Sequence, residues 1–315
     1  MPLDLDRILA AHERIRAYVY RTPVLTSAQL DAANGASLFF KCENFQKIGA
    51  FKARGATNAV FSLDDVTARR GVATHSSGNH GAAVARAAKL RGIPAHIVMP
   101  SNSAKVKIRA IEGYGAQVVF CEPTENAREV TCAEVIKKTG ATLIHSFENE
   151  HVIAGQGTAA VELLEDVPEL DVIMCPVGGG GLLSGTAIAA KSMRPQIKVI
   201  AVEPANADDA AQSFRAGRRL VTEKKFTIAD GLRTNVGERT FPIIQRYVDD
   251  IVTVSEQAIV SAMRTICETM KIVIEPSAAV PYAAVIENKI AIEGKRVGII
   301  LTGGNIDLDA LPWNL

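Results

Sequence analysis

Asp171-Val-Ile-Met-Cys-Pro-Val-Gly-Gly-Gly-Gly-Leu182 is an apolar run that breaks into four glycines, and Leu182 to Met193 continues it with helical spacing. A strand with no polar alternation is covered on both faces, as in a parallel sheet layered with helices. Four glycines leave a turn whose amide N–H groups are unobstructed, with a helix N-terminus behind them. That is an anion cradle of a size suited to a phosphate. The run is neither GxGxxG nor followed by GK[ST], so a dinucleotide site and a nucleoside-triphosphate loop both fit poorly. The other reading is a flexible, tightly packed turn.

The same alternation extends outward in both directions. Strands are expected at Gly71–His75, Ala95–Pro100, Ala116–Phe120, Thr142–His145, Asp171–Cys175 and Lys198–Val202. Helices are expected at Asn79–Leu90, Ala104–Glu112, Glu125–Lys138, Val152–Leu164 and Leu182–Met193. The βα order implies an α/β fold of parallel sheets covered by helices. Ligands in such folds bind beyond the carboxyl ends of strands. Three strand-to-helix turns are therefore the places to look: His75 to Gly81, Pro176 to Leu182 and Leu301 to Asn305.

Composition narrows the function classes. The 315 residues are 48% hydrophobic and carry 35 basic against 34 acidic side chains, a net charge of +1. No block of like charge favours a nucleic-acid or membrane partner. The five cysteines are scattered and never form CxxC, which argues against a disulfide framework or a zinc site and suits a cytoplasmic, reducing setting. The start lacks an apolar core flanked by basic residues, so no signal peptide is expected. Cys175 to Ala190 is uncharged but too short and glycine-broken to span a bilayer. The α/β signals run to the end of the sequence, so no appended regulatory domain is expected.

Gly49-Ala-Phe-Lys-Ala-Arg-Gly-Ala56 is the most unusual stretch. A lysine nucleophile must lose its proton, which a semi-apolar pocket encourages, and Ala50, Phe51 and Ala53 surround Lys52. The alternative is a surface lysine at a helix start. Ser76 and Ser77 lie at a strand mouth before a helix, where Ser76 and Asn79 can help bind a substrate carboxylate. One serine can equally serve only as the cap. Glu203-Pro-Ala-Asn-Ala-Asp-Asp209 offers oxygen ligands for a hard cation, or simply a cap for the next helix.

GAFKARGA, SSGNHG, GGGGL, AVEPANADD, IEPSAA and TGGN stand in the order of the fold-type II pyridoxal-phosphate (PLP) enzymes, and the chain resembles their serine racemase, threonine/serine dehydratase and 3-hydroxyaspartate dehydratase branch. The likeness runs from TPVLTS at 22–27 to the end. It implies a tryptophan synthase β-like fold of two open, parallel-rich twisted sheets covered by helices. A large PLP-binding domain (1–70 and 150–315) and a small one (71–149) would enclose the cofactor. It implies that Lys52 is the Schiff-base lysine and one catalytic base, with Ser77 the acid/base on the opposite face. Phe51, Asn79, Gly178, Gly179, Gly180, Gly181 and Thr302 would bind pyridoxal 5′-phosphate, with Asn79 at the ring hydroxyl and Thr302 at the pyridine nitrogen. A hydroxyl there does not enforce a protonated ring, which suits β-elimination over transamination. Ser76, Ser77, Asn79 and Arg128 would bind an amino-acid substrate. Glu203, the Ala207 carbonyl and Asp209 would hold a divalent cation (Mg²⁺, Ca²⁺ or Mn²⁺), and a homodimer is implied.

The substrate reading rests on fewer residues. Arg128 matches a branch arginine that can reach a distal carboxylate, which selects a dicarboxylate such as 3-hydroxyaspartate; it can otherwise be an exposed helix arginine. Ala50 before Phe-Lys, IEPSAAVP and the late LPW look like the 3-hydroxyaspartate dehydratases. Phe147 stands where the racemases have a polar residue. Serine racemase with L-serine and L-threonine dehydratase activity is the alternative. A non-catalytic sensor on the same fold is disfavoured by the intact Lys52, Asn79 and tetraglycine. His80 is expected to be structural, His145 to have no substrate role, and Cys175 to be core.

Overall fold

The computed structural model describes residues 3–76, 78–103, 105–223 and 226–313. Its strands are β1 (Val24–Leu25), β2 (Ser37–Cys42), β3 (Val72–His75), β4 (Ala95–Pro100), β5 (Gln117–Cys121), β6 (Thr142–Leu143), β7 (Val172–Pro176), β8 (Lys198–Pro204), β9 (Asp250–Val254) and β10 (Arg296–Leu301). Six form one sheet in the order β1-β2-β10-β7-β8-β9, and four form another in the order β5-β4-β3-β6. Every pairing is parallel except β1 with β2.

β7 shows why the larger sheet needs two helical layers. All five of its residues are buried. Val172 and Met174 join a core with the helix Pro276–Ile286, while Ile173 and Cys175 join one with Glu150–Asp166 and Gly181–Met193. Alternate side chains point to opposite faces, so a strand apolar at every position is stable only when both faces are covered. Cys175 is core, as expected. Each buried aliphatic side chain of this kind contributes roughly 1.5–3 kcal/mol.

The helix Glu150–Asp166 is the central prop, buried continuously from Val152 to Leu164. It packs against Lys52–Phe61 through paired glycines: a Cβ on Gly155 would lie 2.6 Å from the Gly55 Cα. This close approach carries the start of Lys52–Phe61 to the ends of the large-sheet strands. Its partner on the other side is Asn79–Arg91, behind the small sheet.

Two expectations change. The strand expected at Thr142–His145 stops at Leu143, although Ile144 N–H still donates to the Ala73 carbonyl at 2.9 Å. The turn after Leu301 opens no helix; the chain runs irregularly to a short 3-10 turn at Leu308–Ala310. Of the expected helix Ala104–Glu112, Lys105–Glu112 is described.

Candidate active site

The carboxyl ends of both sheets converge on a cleft of about 270 Å³. Phe51, Lys52, His75, Ser76, Asn79, Arg128, Gly178, Gly179, Gly180, Gly181 and Thr302 all line it. These residues are scattered over most of the chain, yet one cavity collects them. Ser77 lies outside the described residues.

Lys52 is the first residue of Lys52–Phe61, and its Nζ donates to the Ser146 carbonyl at 3.1 Å. Burial pulls its pKa down to about 8, against the opposing pull of the Glu275 charge. The amine is thus far closer to neutral at physiological pH than a surface lysine. The Phe51 ring lies 5.1 Å from Nζ, and Phe51 N–H donates to the Thr302 carbonyl at 3.0 Å. That bond ties the lysine segment to the end of β10.

A buried ionic cluster holds the same helix from behind. Arg54, fully buried, donates to Glu43 Oε1 and Oε2 at 2.8 Å each and to Glu162 at 2.7 Å. Lys41 Nζ donates to Glu162 at 2.7 Å. Two cations match two anions, so none is stranded in low dielectric, where removing one partner costs about 3–5 kcal/mol.

Across the cleft, Gly178 to Gly181 run from β7 into Gly181–Met193. Gly180 adopts φ +86°, the left-handed region. A Cβ on Gly179 would lie 2.2 Å from the Phe147 ring, so the turn has no room for side chains. Among the described residues none accepts a hydrogen bond from the four glycine amides. Converging unengaged N–H groups at a helix N-terminus fit a phosphate.

Asn79 opens the helix Asn79–Arg91. Its Nδ2 donates to both Glu275 oxygens at 3.0 and 3.1 Å, and its Oδ1 accepts from Asn305 Nδ2 at 2.8 Å. The amide is held at both ends and meets a ligand in one orientation. Ser76 Oγ accepts from Gly78 N–H at 3.2 Å and also faces the cleft. Arg128 is half-buried on Glu125–Thr139, with Nε donating to the Thr124 carbonyl at 3.4 Å. Lys107 and Asp230 both line the cleft and pair with each other at 3.2 Å.

Glu275 also lines the cleft; the IEPSAA motif contains it, but motif reading assigns it no role. Burial pushes its pKa up to about 7, helped by the Asp230 charge and opposed by the Asn79 hydrogen bond. The available signal was an acid inside the apolar run Ile272–Val280, directly before a helix-opening proline. An acid whose folded pKa is raised stabilises the fold while protonated. That contribution is complete below its ordinary value of 4.5 and is lost as pH rises through about 7. Burial lowers the pKa of His80 and His145, which raises stability over the same range, so the Glu275 contribution is read as a difference between proteins. In denaturant unfolding of the cofactor-free protein, Glu275→Gln is expected to gain about 1–3 kcal/mol relative to wild type between pH 5 and 8; a difference that does not change with pH would rule out a raised Glu275 pKa.

The expected cation ligands have protein partners. Glu203, fully buried at the end of β8, accepts from Ala210 and Ala211 N–H at 3.1 and 3.0 Å. Asp209, also fully buried, accepts from Val236 N–H at 2.6 Å. Both carboxylates therefore brace the helix Asp209–Ala216, and Ala207 is buried beside them. Among the described residues, no three His, Cys, Asp or Glu side chains are placed to hold a metal.

A half-buried lysine of lowered pKa and a turn of four unengaged glycine amides share one cleft between two parallel-rich sheets, an arrangement that fits a phosphorylated aldehyde cofactor. The chain belongs to the pyridoxal-phosphate dependent enzymes: their family model matches residues 15–303. It is 50% identical to a beta-hydroxyaspartate dehydratase of Paracoccus denitrificans, over 98% of each chain. It is 47% identical to an L-threo-3-hydroxyaspartate ammonia-lyase of Saccharomyces cerevisiae, over 96% of this chain and 94% of the other. Maize serine racemase superposes with a TM-score of 0.96 at 48% identity, covering 100% of this chain and 97% of that one.

Proposed function

We propose that the protein is a PLP-dependent ammonia-lyase that dehydrates and deaminates a β-hydroxy amino acid, with 3-hydroxyaspartate as the preferred substrate. The observation that carries this is the Lys52 amine opposite four unengaged glycine amides, in a cleft whose far wall presents Arg128. The amides of Gly178 to Gly181 would hold the phosphate, Asn79 would meet the ring hydroxyl, and Thr302 would face the pyridine nitrogen beside Phe51. When bound, PLP supplies an electron sink that acidifies the substrate Cα–H. Lys52 holds the cofactor and takes that proton. Ser76 and Asn79, by the start of Asn79–Arg91, receive the α-carboxylate, and Ser77 is proposed to share in this. Ser77 is proposed as the acid/base on the opposite face. Water leaves Cβ and returns on hydrolysis, so 3-hydroxyaspartate yields oxaloacetate and ammonia. Arg128 would receive the distal carboxylate.

Keto-acid release from the four 3-hydroxyaspartate stereoisomers, serine and threonine tests the reading. Turnover of a 3-hydroxyaspartate isomer at a kcat/KM about tenfold or more above serine is expected, since an arginine–carboxylate contact contributes about 1.5–3 kcal/mol. Serine turned over as well as 3-hydroxyaspartate would reject it. Serine racemisation with dehydration is the second reading, supported by the likeness to maize serine racemase; chiral analysis of incubated serine tests it.

We also propose a divalent cation, Mg²⁺ in the first instance, on Glu203, the Ala207 carbonyl and Asp209. Their hard oxygen donors fit its chemistry, and it would brace the fold rather than the reaction. Metal analysis of purified protein checks it. The two sheets are proposed as two domains, 1–70 with 150–315 and 71–149, in a homodimer measurable by light scattering. No helix among the described residues is long and apolar enough to cross a membrane. A cytoplasmic location is proposed, supported by five free cysteines.

A further inference from the structure

His145 follows β6 and lines the cleft beside His75, Arg128 and Ser146. Its Nδ1 accepts from two backbone donors, Glu148 N–H at 2.9 Å and Phe147 N–H at 3.3 Å. A nitrogen that accepts carries no proton, so the neutral ring bears its hydrogen on Nε2. Among the described residues no acceptor meets Nε2, although the ring is only half-buried and open to the cavity. His75 packs edge-on at 5.8 Å and Phe147 at 4.6 Å, which fixes the ring plane. The chain thus fixes both the tautomer and the orientation of an unused N–H.

Location gives this donor a purpose. The next residue, Ser146, supplies the carbonyl that receives Lys52 Nζ at 3.1 Å, so His145 borders the reacting centre. Behind it stands His75, whose pKa is lowered by burial and then by the Arg128 charge. Arg128 and His145 therefore belong to one wall, formed by the carboxyl ends of β3 and β6 and the helix Glu125–Thr139. Burial drives the His145 pKa down to about 4, with His75 and Lys52 adding to the effect, so the ring stays uncharged at neutral pH.

We propose that His145 is a specificity-determining residue whose Nε2–H donates to the distal carboxylate of a dicarboxylic substrate alongside Arg128. The proposal rests on the dicarboxylate reading above. It adds a neutral, directional donor to the arginine's charge, which favours a planar carboxylate over a bare hydroxyl.

L-Aspartate and L-alanine share the amino-acid head and differ by the distal carboxylate, and neither has a β-hydroxyl to lose. Each is titrated into the PLP-loaded protein and followed by the change in its visible absorption. His145→Phe is expected to lower the aspartate-to-alanine affinity ratio about 10- to 100-fold, the cost of a hydrogen bond to a charged group. His145→Gln, which keeps a neutral N–H at the reach of Nε2, should restore the ratio to within about fivefold. An unchanged ratio in His145→Phe would overturn the proposal, as would equal weakening of both ligands or a failure of His145→Gln to restore the ratio. A wild-type protein that does not favour aspartate overturns it too. Should wild type favour aspartate through His145 yet not turn over 3-hydroxyaspartate, the donor assignment stands and the activity reading fails.

Discussion

Lys52→Ala is expected to lower keto-acid release by about 10⁴-fold or more and to remove the visible absorption of the PLP-supplemented protein. On the proposed reading two functions disappear together: the amine that would hold the cofactor and the base that would take the Cα proton. The magnitude follows from the site, because Lys52 is the lysine whose pKa burial pulls down to about 8 and whose Nζ faces the cleft. A neighbouring cation cannot take its place; Lys107, the other lysine lining the cleft among the described residues, is engaged with Asp230 at 3.2 Å. Cofactor uptake supplies an independent check. Only the unprotonated amine attacks a carbonyl, so the rate of PLP capture should rise about tenfold per pH unit below about 8 and level off above it. A Lys52→Ala protein that kept the band, or a capture rate flat from pH 6 to 8, would place the cofactor elsewhere.

Arg128→Ala is expected to lower kcat/KM for 3-hydroxyaspartate by about 10²-fold, because a charge-assisted pair with a partly desolvated carboxylate is lost. L-Serine has no distal carboxylate, so its kcat/KM should change by less than about tenfold. Arg128→Lys should recover only part of the loss, since an ammonium cannot match a carboxylate through two parallel N–H donors. Arg128 is free for this role: its only described anchor is the weak 3.4 Å bond from Nε to the Thr124 carbonyl. Equal losses for both substrates would make it a structural residue.

Parts of the site were legible because their chemistry is local. Four consecutive glycines after an apolar strand can be read from spacing alone, since the backbone itself is the ligand-binding element. Lys52 amid Ala50, Phe51 and Ala53, and the SSGN turn before an alanine-rich helix, are likewise short-range patterns. Their roles, and those of Thr302 and Arg128, came from resemblance to a family whose motifs recur here in order.

The residues that were passed over act at long range. Glu275 meets Asn79 across 196 positions, and Arg54 meets Glu162 across 108. His145 looked like a strand-end histidine without a task. Its fixed tautomer exists only because the chain turns after β6 and aims two backbone N–H groups at Nδ1.

The sequence by itself determined the layered α/β fold and the bare four-glycine turn, because apolar periodicity and glycine freedom act within a few residues. Only the tertiary structure decided how strongly Lys52 is depressed, that Glu275 and Asn305 hold Asn79, and that His145 joins Arg128 on one wall. Desolvation and directional hydrogen bonds depend on which distant strands end side by side, and no local pattern carries that information.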